Sequence, residues 1–363
     1  MFRIEMLPAF HGDCIWVEYG EKNKPHRILI DGGPVPTYDV LRARIDNLSK
    51  DQRYFDLIVL THVDADHIES TVKLLNVKKL DFDVGDIWFN AWKHLSSSHG
   101  DELGPVQGEY VSALISRHGL PWNDAFNNGP VVVPDGQDLP AITLPGGMKL
   151  TLLSPDRIRL EKLAPEWAKA VHAAGLEPGA EKEVLDFLSK KKKYRPNDEL
   201  GAAHLDISAL AQAPFEPDRT APNGSSIAFL AEYRGKSCMF LGDAHSSVLV
   251  DSIRRLLAKR GEEKLEVDAV KLPHHGSQNN VSHELIELIA CPRYLISTNG
   301  NIFEHPDAEA IARIIKYGGR SPTIFFNYLC DTTNIWKKES MNSRTGFGVR
   351  FPEPGDIGIV IEL

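Results

Sequence analysis

Short apolar runs of strand length alternate along the chain with segments whose apolar positions recur at a helical period. The first half is predicted to contain strands near 2–7, 14–19, 27–31, 55–60, 86–90 and 149–153 and helices near 38–50, 68–75 and 106–118. The second half is predicted to contain strands near 225–233, 236–241, 267–272 and 294–297 and helices near 246–260, 281–290 and 306–316. This alternation indicates an α/β fold with mixed sheets.

Composition is that of an ordinary soluble globular protein, with 42% hydrophobic and 25% charged residues among 363. No segment reaches the roughly 18 uninterrupted apolar residues that span a bilayer, so we expect no membrane association. The charged, alternating start of the chain predicts a first strand rather than a signal peptide. The four cysteines have no metal-knuckle spacing, and we expect them to be small buried hydrophobes in a reducing cytoplasm: Cys14, Cys238, Cys291 and Cys330.

The densest chemistry lies between residues 61 and 67, where four potential metal ligands follow a strand and precede a helix: His62, Asp64, Asp66 and His67. Four ionisable side chains on one turn would repel or desolvate one another in a purely structural role. A divalent cation resolves that conflict by accepting imidazole nitrogens and carboxylate oxygens as ligands. The alternative is a polar loop that caps the helix through Asp64 or Asp66, but a cap needs only one carboxylate and no histidine.

Two later segments supply further ligands at strand ends. Asp243 follows an apolar strand in a Gly-Asp pair, and His274 and His275 end another strand before a glycine turn. A carboxylate can bridge two cations, and an imidazole from a neighbouring strand can complete the ligand shell. Strand ends suit such chemistry because the sheet fixes the ligands while the loops admit substrate.

These motifs resemble the metallo-β-lactamase superfamily, and within it the branch of the DNA-uptake protein ComEC. The family's first motif is His-x-His-x-Asp-His, and that branch often has aspartate at the second histidine, as Asp64 stands here. The resemblance covers roughly 1–155 and 223–326, and its other motifs follow in the branch's order: Gly12–Val17, Leu29–Gly33, Asn223–Ser226, Leu272–Ser277 and His305–Pro306. It implies an αββα sandwich of two mixed sheets flanked by helices.

The resemblance also implies a dinuclear centre with two divalent ions, Zn²⁺ or Mn²⁺. His62 would bind one cation, Asp66 and His67 would bind the other, and Asp243 would bridge them. Either His274 or His275 would complete the second site, and the sequence leaves that choice open. Asp64 in place of an imidazole would shift the preference from zinc toward manganese.

No histidine occupies the family's third-motif position, and we expect those in that interval to lie on the surface: His94, His99, His118, His172 and His204. The candidate catalytic residues are Asp66, His275, His305 and Lys271. Lys271 would stabilise developing charge, unless it is an ordinary strand lysine that reaches solvent. His305 would act as an acid on the substrate side, unless it only shapes a turn. Asp13 and Asp31 are expected to support loops and ligands.

Residues 156–222 do not follow the strand–helix rhythm. We expect a helical and loop insertion, within a single domain spanning 1–363, that caps or flanks the active-site face and offers a surface for a protein partner. Helical patterns cover 158–175 and 181–193, and the second ends in a run of lysines, 190–193. That run is either a solvated helix end, where cations suit the helix dipole, or a phosphate-contacting patch.

The ligands predict a metal-dependent hydrolase, because two divalent cations activate water and clamp the attacking and leaving oxygens. The branch resemblance favours a phosphodiesterase or nuclease on DNA or RNA, although the net charge of −9 confines nucleic-acid binding to local patches and the metals. One alternative is a small-ester hydrolase of the phosphorylcholine esterase, lactonase or thioesterase type. Another is a scaffold or binding module with little turnover. A basic rim beside the metals would favour the nuclease, and a closed apolar pocket would favour the small-ester enzyme.

Overall fold

The computed structural model describes residues 1–95, 106–173, 206–341 and 346–363. The strands of the first half are β1 (Phe2–Met6), β2 (Ile15–Glu21), β3 (Lys24–Ile30), β4 (Tyr54–Phe55), β5 (Leu57–Val59), β6 (Asp83–Val84), β7 (Ile87–Trp88), β8 (Ala141–Thr143) and β9 (Lys149–Ser154). Those of the second half are β10 (Ala228–Tyr233), β11 (Lys236–Phe240), β12 (Leu265–Glu266), β13 (Ala269–Lys271), β14 (Ile289–Ala290), β15 (Arg293–Ile296), β16 (Thr323–Phe326), β17 (Gly348–Arg350) and β18 (Ile359–Glu362).

Helices fill the intervals between these strands. Within the described residues they are α1 (Tyr38–Asp46), α2 (Ala65–Leu75), α3 (Val106–His118), α4 (Arg157–Ala173), α5 (Ile207–Ala211), α6 (Ala221–Gly224), α7 (Ser246–Arg260), α8 (His283–Glu287), α9 (Ala308–Tyr317) and α10 (Asp331–Ser340). None of the helices in the described part of the chain combines the length and the apolar character that crossing a bilayer requires. Each element predicted on the described residues has a counterpart, except that residues 289–290 of the helix predicted at 281–290 form the strand β14. Elements additional to the prediction are β6, β8, β12, β16, β17, β18, α5, α6 and α10.

Two large sheets organise the fold. The first has the order β18-β1-β2-β3-β5-β7, and the second has the order β17-β16-β15-β13-β11-β10-β9-β8. Each combines antiparallel neighbours, such as β1 with β2 and β10 with β11, with parallel neighbours, such as β3 with β5 and β11 with β13. The prediction of mixed sheets is therefore confirmed.

Alternation along the strands produces three apolar layers. On β2, Ile15 and Val17 join the core shared by the two sheets, whereas Trp16 points into the core beneath the helices of the first half. On β11, Phe240 belongs to the shared core and Met239 to the core beneath the helices of the second half. Because successive strand residues face opposite sides, each sheet is covered on both faces. The predicted αββα sandwich is confirmed.

Part of the 156–222 segment is built into this core. Helix α4 buries Leu160, Leu163 and Trp167 in the helical layer of the first half. The Trp167 ring packs directly over Gly108, where an added Cβ would lie only 2.8 Å from it. The second predicted helix of this segment and the lysine run at 190–193 lie outside the described residues.

The cysteines in the structure are free thiols. Cys14, Cys238 and Cys291 are buried, as predicted, but Cys330 is only partly buried, so the expectation fails there. Cys330 precedes α10, an element that the sequence pattern did not predict, and its Sγ lies 3.2 Å from the hydroxyl of Thr332.

The carboxyl ends of β5 in the first sheet and of β11, β13 and β15 in the second meet at one edge of the sandwich. Hydrogen bonds tie the loops of that edge together: the Ile227 N–H donates to the Thr61 carbonyl (2.9 Å), and the His274 N–H donates to the Gly242 carbonyl (2.9 Å). The Ser297 hydroxyl donates to the Gly12 carbonyl (2.8 Å). The predicted ligand motifs therefore emerge beside one another.

Candidate metal centre

The turn between β5 and α2 directs its carboxylates into the site. Asp64 occupies the N-cap position of α2 in extended conformation, yet its side chain makes no capping hydrogen bond. Its Oδ2 instead lies 3.6 Å from His62 Nε2, and 43% of the side chain is exposed. The helix-capping alternative is therefore wrong for Asp64, whose carboxylate is available to a ligand.

Asp243 is the centre of the arrangement. Its Oδ2 lies 3.4 Å from His67 Nε2, 3.7 Å from His274 Nε2, 3.8 Å from His275 Nε2 and 3.9 Å from His62 Nε2. Four imidazole nitrogens thus converge on one buried carboxylate oxygen. Imidazole nitrogens and carboxylate oxygens are the ligands of zinc and related divalent ions, so this arrangement fits a bridging carboxylate.

The remaining candidates divide into two groups around Asp243. The inner cluster comprises Asp66, His67 and His275, whose ligand atoms all lie within 4.8 Å of one another. We call the other candidates the outer cluster: His62, whose Nε2 lies 3.6 Å from Asp64 Oδ2, Asp64 itself, and His274, whose Nε2 lies 3.7 Å from Asp243 Oδ2. The sequence left open which of the paired histidines completes the second site. The Nε2 of His275 lies 3.6 Å from Asp66 Oδ2, which favours His275 for that site.

Hydrogen bonds behind the inner cluster fix its imidazole rings. The Nδ1 of His67 lies 2.8 Å from Asp31 Oδ2, and the Nδ1 of His275 lies 2.8 Å from the Ser297 carbonyl. Asp31 is itself held by the backbone N–H and the hydroxyl of Thr61, each at 2.8 Å. Because Nδ1 donates to these acceptors, Nε2 is the ring atom that faces the centre, and it can bind a metal once its proton has left.

Several polar atoms at this centre are buried without a hydrogen-bond partner among the described residues: His62 Nε2, His67 Nε2, His275 Nε2 and Asp243 Oδ1. Buried polar atoms in proteins almost always have partners, because an unpaired group loses its interactions with water and gains none in return. The three Nε2 atoms all lie within 3.9 Å of the other oxygen of that carboxylate, Asp243 Oδ2. Divalent cations bound there would satisfy them together, so the residues fit such ions.

Protons balance the charge of the centre in the absence of a cation. Burial lowers the pKa of His67, but Asp243, Asp31 and Asp66 outweigh it and raise that pKa well above its ordinary value. Burial also lowers the pKa of His275, yet Asp243 and Asp13 raise that pKa to about 9. Burial favours neutral Asp243, but the surrounding imidazoles hold its pKa well below the usual range. A bound cation would replace those protons.

The outer cluster has different supports. The Nδ1 of His62 lies 3.0 Å from the Thr61 hydroxyl and 3.1 Å from the Ser226 hydroxyl. The Ser226 hydroxyl also accepts the Asp243 N–H at 3.0 Å. Ser226, from the Asn223–Ser226 motif, thus connects the His62 ring to the backbone of Asp243.

Two supports of His274 were missed by sequence reasoning. Its Nδ1 lies 2.9 Å from Asn280 Oδ1 and 3.7 Å from Asp218 Oδ2. Asp218 lies in the Pro- and Ala-rich end of the 156–222 segment, and it accepts hydrogen bonds from the side chains of Asn223 (2.7 Å) and Asn280 (3.1 Å). The sequence carries no spacing that marks it, although Asn223 of the recognised motif follows five residues later.

His305 and His11 stand beside the ligand clusters. The His305 ring contacts the His274 ring edge-on at a centroid distance of 5.1 Å. His11, another residue that the sequence did not single out, precedes Gly12, which packs on the first turn of α2. A Cβ at Gly12 would lie 1.8 Å from the Asp66 carbonyl oxygen, so only glycine permits this approach.

Lys271 does not have the predicted charge-stabilising position. Its side chain is 1% exposed, and its Nζ donates to Asp13 Oδ2 at 2.6 Å. The other oxygen of Asp13 lies 3.6 Å from His275 Nδ1. The ammonium group therefore neutralises a buried carboxylate behind His275 instead of facing substrate. The face of β13 on which Lys271 lies is turned toward the other sheet, so its side chain is buried between the sheets.

His94 is not a surface residue, contrary to the prediction. It is buried against the Trp122 ring at 5.2 Å, and its Nδ1 accepts the Ala91 N–H at 3.0 Å. Burial lowers its pKa to about 3. His118 is partly exposed, and its Nε2 lies 2.8 Å from the Leu75 carbonyl. The side chains of His99, His172 and His204 lie outside the described residues.

No family model and no curated protein matches the chain. Solved structures that resemble it include a mutant of the CmlA β-hydroxylase, Zn²⁺-bound PqqB from Methylobacterium extorquens and a diphosphatase of the PhnP family, all proteins of the metallo-β-lactamase fold. The β-hydroxylase is 11% identical over 100% of this chain with a TM-score of 0.41, and PqqB is 12% identical over 100% with a TM-score of 0.40. The diphosphatase is 14% identical over 97% of this chain with a TM-score of 0.36. The chain covers 54%, 100% and 84% of their lengths, thus about half of the β-hydroxylase. Likenesses this distant carry no inference about activity.

Proposed function

We propose that this protein is a metal-dependent hydrolase of phosphodiesters, with DNA or RNA as the substrate class. The observation that carries the proposal is the convergence of four imidazole Nε2 atoms on Asp243 Oδ2, at 3.4 to 3.9 Å. When bound, divalent cations lower the pKa of a water molecule to about 7 and neutralise charge on the oxygens of the ester. The ligand set, rich in both carboxylate and imidazole, suits Mn²⁺ or Zn²⁺.

The chain's own groups have separate tasks in this proposal. Asp31 and the Ser297 carbonyl hold His67 and His275 so that their Nε2 atoms face Asp243. Asp243 supplies the carboxylate shared by the two clusters. His305, which lies against His274 but outside both clusters, is positioned to hold a proton for the leaving oxygen.

The choice of phosphodiesters rests on the resemblance of the motif series to the ComEC branch. The fold alone does not select a substrate, because related dinuclear centres hydrolyse several kinds of ester. The net charge of −9 supports a binding mode in which the cations, rather than an extended basic surface, attract the phosphate.

The test combines metal analysis of the purified protein with a nuclease assay on single-stranded DNA and RNA in Mn²⁺. We expect divalent metal to be retained or readily reloaded, and cleavage to slow as salt rises. Turnover of lactones or thioesters, with none of nucleic acid, would identify a small-ester hydrolase instead. A protein that holds no divalent metal would be the scaffold or binding module.

A further inference from the structure

Four large apolar side chains are exposed on the loops that precede β2 and follow β15 and β16. Phe10, Ile302, Phe303 and Leu329 are 37%, 46%, 53% and 55% exposed, and we call them the apolar rim. Isolated exposed apolar residues are common on protein surfaces, but a group of them drawn from separate loops is typical of a binding surface.

Hydrogen bonds hold the loops of the apolar rim together. The Phe10 N–H donates to the Tyr328 hydroxyl at 2.8 Å, and the Phe10 carbonyl accepts the Asn299 N–H at 2.7 Å. The Thr332 hydroxyl donates to the His305 carbonyl at 2.9 Å. The loops that follow β15 and β16 and the loop that precedes β2 are therefore joined at the same edge that carries the ligand clusters.

A row of aromatic rings connects the apolar rim to the outer cluster. The His274 ring contacts His305 at 5.1 Å, and the His305 ring stacks on Phe303 at 6.0 Å with an interplanar angle of 29°. The His11 ring meets Phe303 edge-on at 6.4 Å. Phe303 thus extends the site outward as an exposed ring, a short distance from the atoms that would hold the ester.

We propose that Phe303 and its neighbours in the apolar rim bind a nucleobase adjacent to the scissile phosphate. This inference rests on the proposed phosphodiesterase function, in which the ligand clusters bind the phosphate and leave the base to be bound elsewhere. Planar bases stack on exposed aromatic side chains regardless of base identity. The rim is apolar and not the basic rim that would favour a nuclease, so in this inference the rim binds the base and the cations bind the phosphate.

Binding of small ligands to the Mn²⁺-loaded protein tests the rim without turnover. Thymidine 5′-monophosphate and 2-deoxyribose 5-phosphate carry the same phosphate, and only the first carries a base. By calorimetry we expect the nucleotide to bind about tenfold more tightly, near the lower end of what one base–aromatic stack contributes. Equal binding of the two ligands to the wild-type protein would overturn the inference.

Substitutions assign that difference to one ring. Phe303→Ala should abolish the preference for the nucleotide, Phe303→Leu should restore little of it, and Phe303→Tyr should retain it. Tyr54→Ala is the matched control. Tyr54 is also an exposed aromatic residue (42%), but it precedes β5 and so lies at the end of that strand away from the ligand clusters. A preference that survives in Phe303→Ala, or that Tyr54→Ala loses equally, would overturn the role of Phe303.

Turnover separates this inference from the proposed function. The substrates are a thymidine dinucleotide and an analogue in which one base is missing. Cleavage of both at equal rates, by wild type and Phe303→Ala alike, would leave the hydrolase standing and overturn the rim. A tenfold binding preference that depends on Phe303, without cleavage of either dinucleotide, would support the rim and overturn the phosphodiesterase.

Discussion

The two ligand clusters share Asp243 but differ in how firmly the fold holds them. In the inner cluster, His67 and His275 are completely buried, and their Nδ1 atoms are anchored at 2.8 Å by Asp31 and by a backbone carbonyl. In the outer cluster, Asp64 is 43% exposed and His274 is 22% exposed. Among the described residues, the partners of His62 Nδ1 are the hydroxyls of Thr61 and Ser226.

This difference predicts unequal affinities for metal. A ligand whose orientation is fixed before binding loses little conformational freedom when the ion arrives, whereas an exposed carboxylate must be ordered. A carboxylate behind an imidazole also makes the other ring nitrogen a better donor. We therefore expect the inner cluster to hold its cation more tightly, and the outer cluster to be the site that exchanges.

The largest effect should follow from removing the group that both clusters share. Asp243→Ala should abolish binding of both cations and reduce activity by more than about 1000-fold, beyond the 10- to 100-fold that losing a supporting residue costs. Metal content by mass spectrometry and the nuclease assay check this, with the exposed Asp251→Ala as a control carboxylate. Wild-type metal content in Asp243→Ala would contradict the assignment of the centre.

The paired histidines provide the sharpest comparison of the two clusters. His275→Ala should remove the tightly bound cation, because its Nε2 adjoins both Asp66 and Asp243. His274→Ala should leave that cation in place and weaken only the second. Stepwise metal titration of both variants measures the difference. If His274→Ala proved the more damaging to the tight site, the two histidines would have to exchange roles.

Asp31→Asn changes the residue that anchors His67 and leaves every candidate ligand in place. The amide keeps the shape but loses the charge that orients His67, so metal affinity of the tight site should fall 10- to 100-fold. The second titration step should weaken less, because Asp31 reaches the outer cluster through the Thr61 hydroxyl, which lies 3.0 Å from His62 Nδ1. Thr37→Ser, a mild change at another buried side chain of the first half, controls for general effects of mutation. Equal weakening of both steps would show that Asp31 supports the fold and not one cluster.

The sequence predicted the layers and the ligand segments well because both depend on local pattern. Strands that end in His62, Asp243 and His274–His275 are short apolar runs, and parallel strands bring such ends to one edge. It could not distinguish His274 from His275, since that depends on backbone angles at the turn, where both residues have positive φ. Nor could it find Asp218, whose contact with His274 joins positions far apart in the chain.

The errors have the same origin. Lys271 has the expected strand position, but its charge is taken up by Asp13, which lies 258 residues earlier. His94 was predicted at the surface because it does not follow a strand end in the sequence, yet it packs against Trp122, an aromatic residue that follows α3. In both cases the partner lies on another element, and periodicity along one element carries no information about it.

The pH dependence of metal binding should also distinguish the clusters. In the metal-free protein Asp243 and Asp13 raise the pKa of His275 to about 9, so the ring is protonated at neutral pH. The attraction between this imidazolium and the two carboxylates is lost as pH rises through that value. A cation must displace that proton, so affinity of the tight site should increase with pH up to about 9, by about tenfold per unit for each proton released. Titrations against a chromophoric chelator measure this. A pH-independent tight site would show that the ion does not bind His275.

The smallest effects should come from Asp64, the most exposed of the candidate ligands. If it binds the outer cation directly, Asp64→Ala should lose only that ion, and Asp64→His should shift its preference toward zinc, because imidazole suits zinc better. If it instead orients His62 through a hydrogen bond, Asp64→Asn should retain both ions and lose part of the rate. The 3.6 Å separation of Asp64 Oδ2 from His62 Nε2, and the missing helix cap, favour direct binding. Metal titration of the three variants separates these outcomes, and an Asp64→Ala protein with unchanged metal content and turnover would exclude both roles.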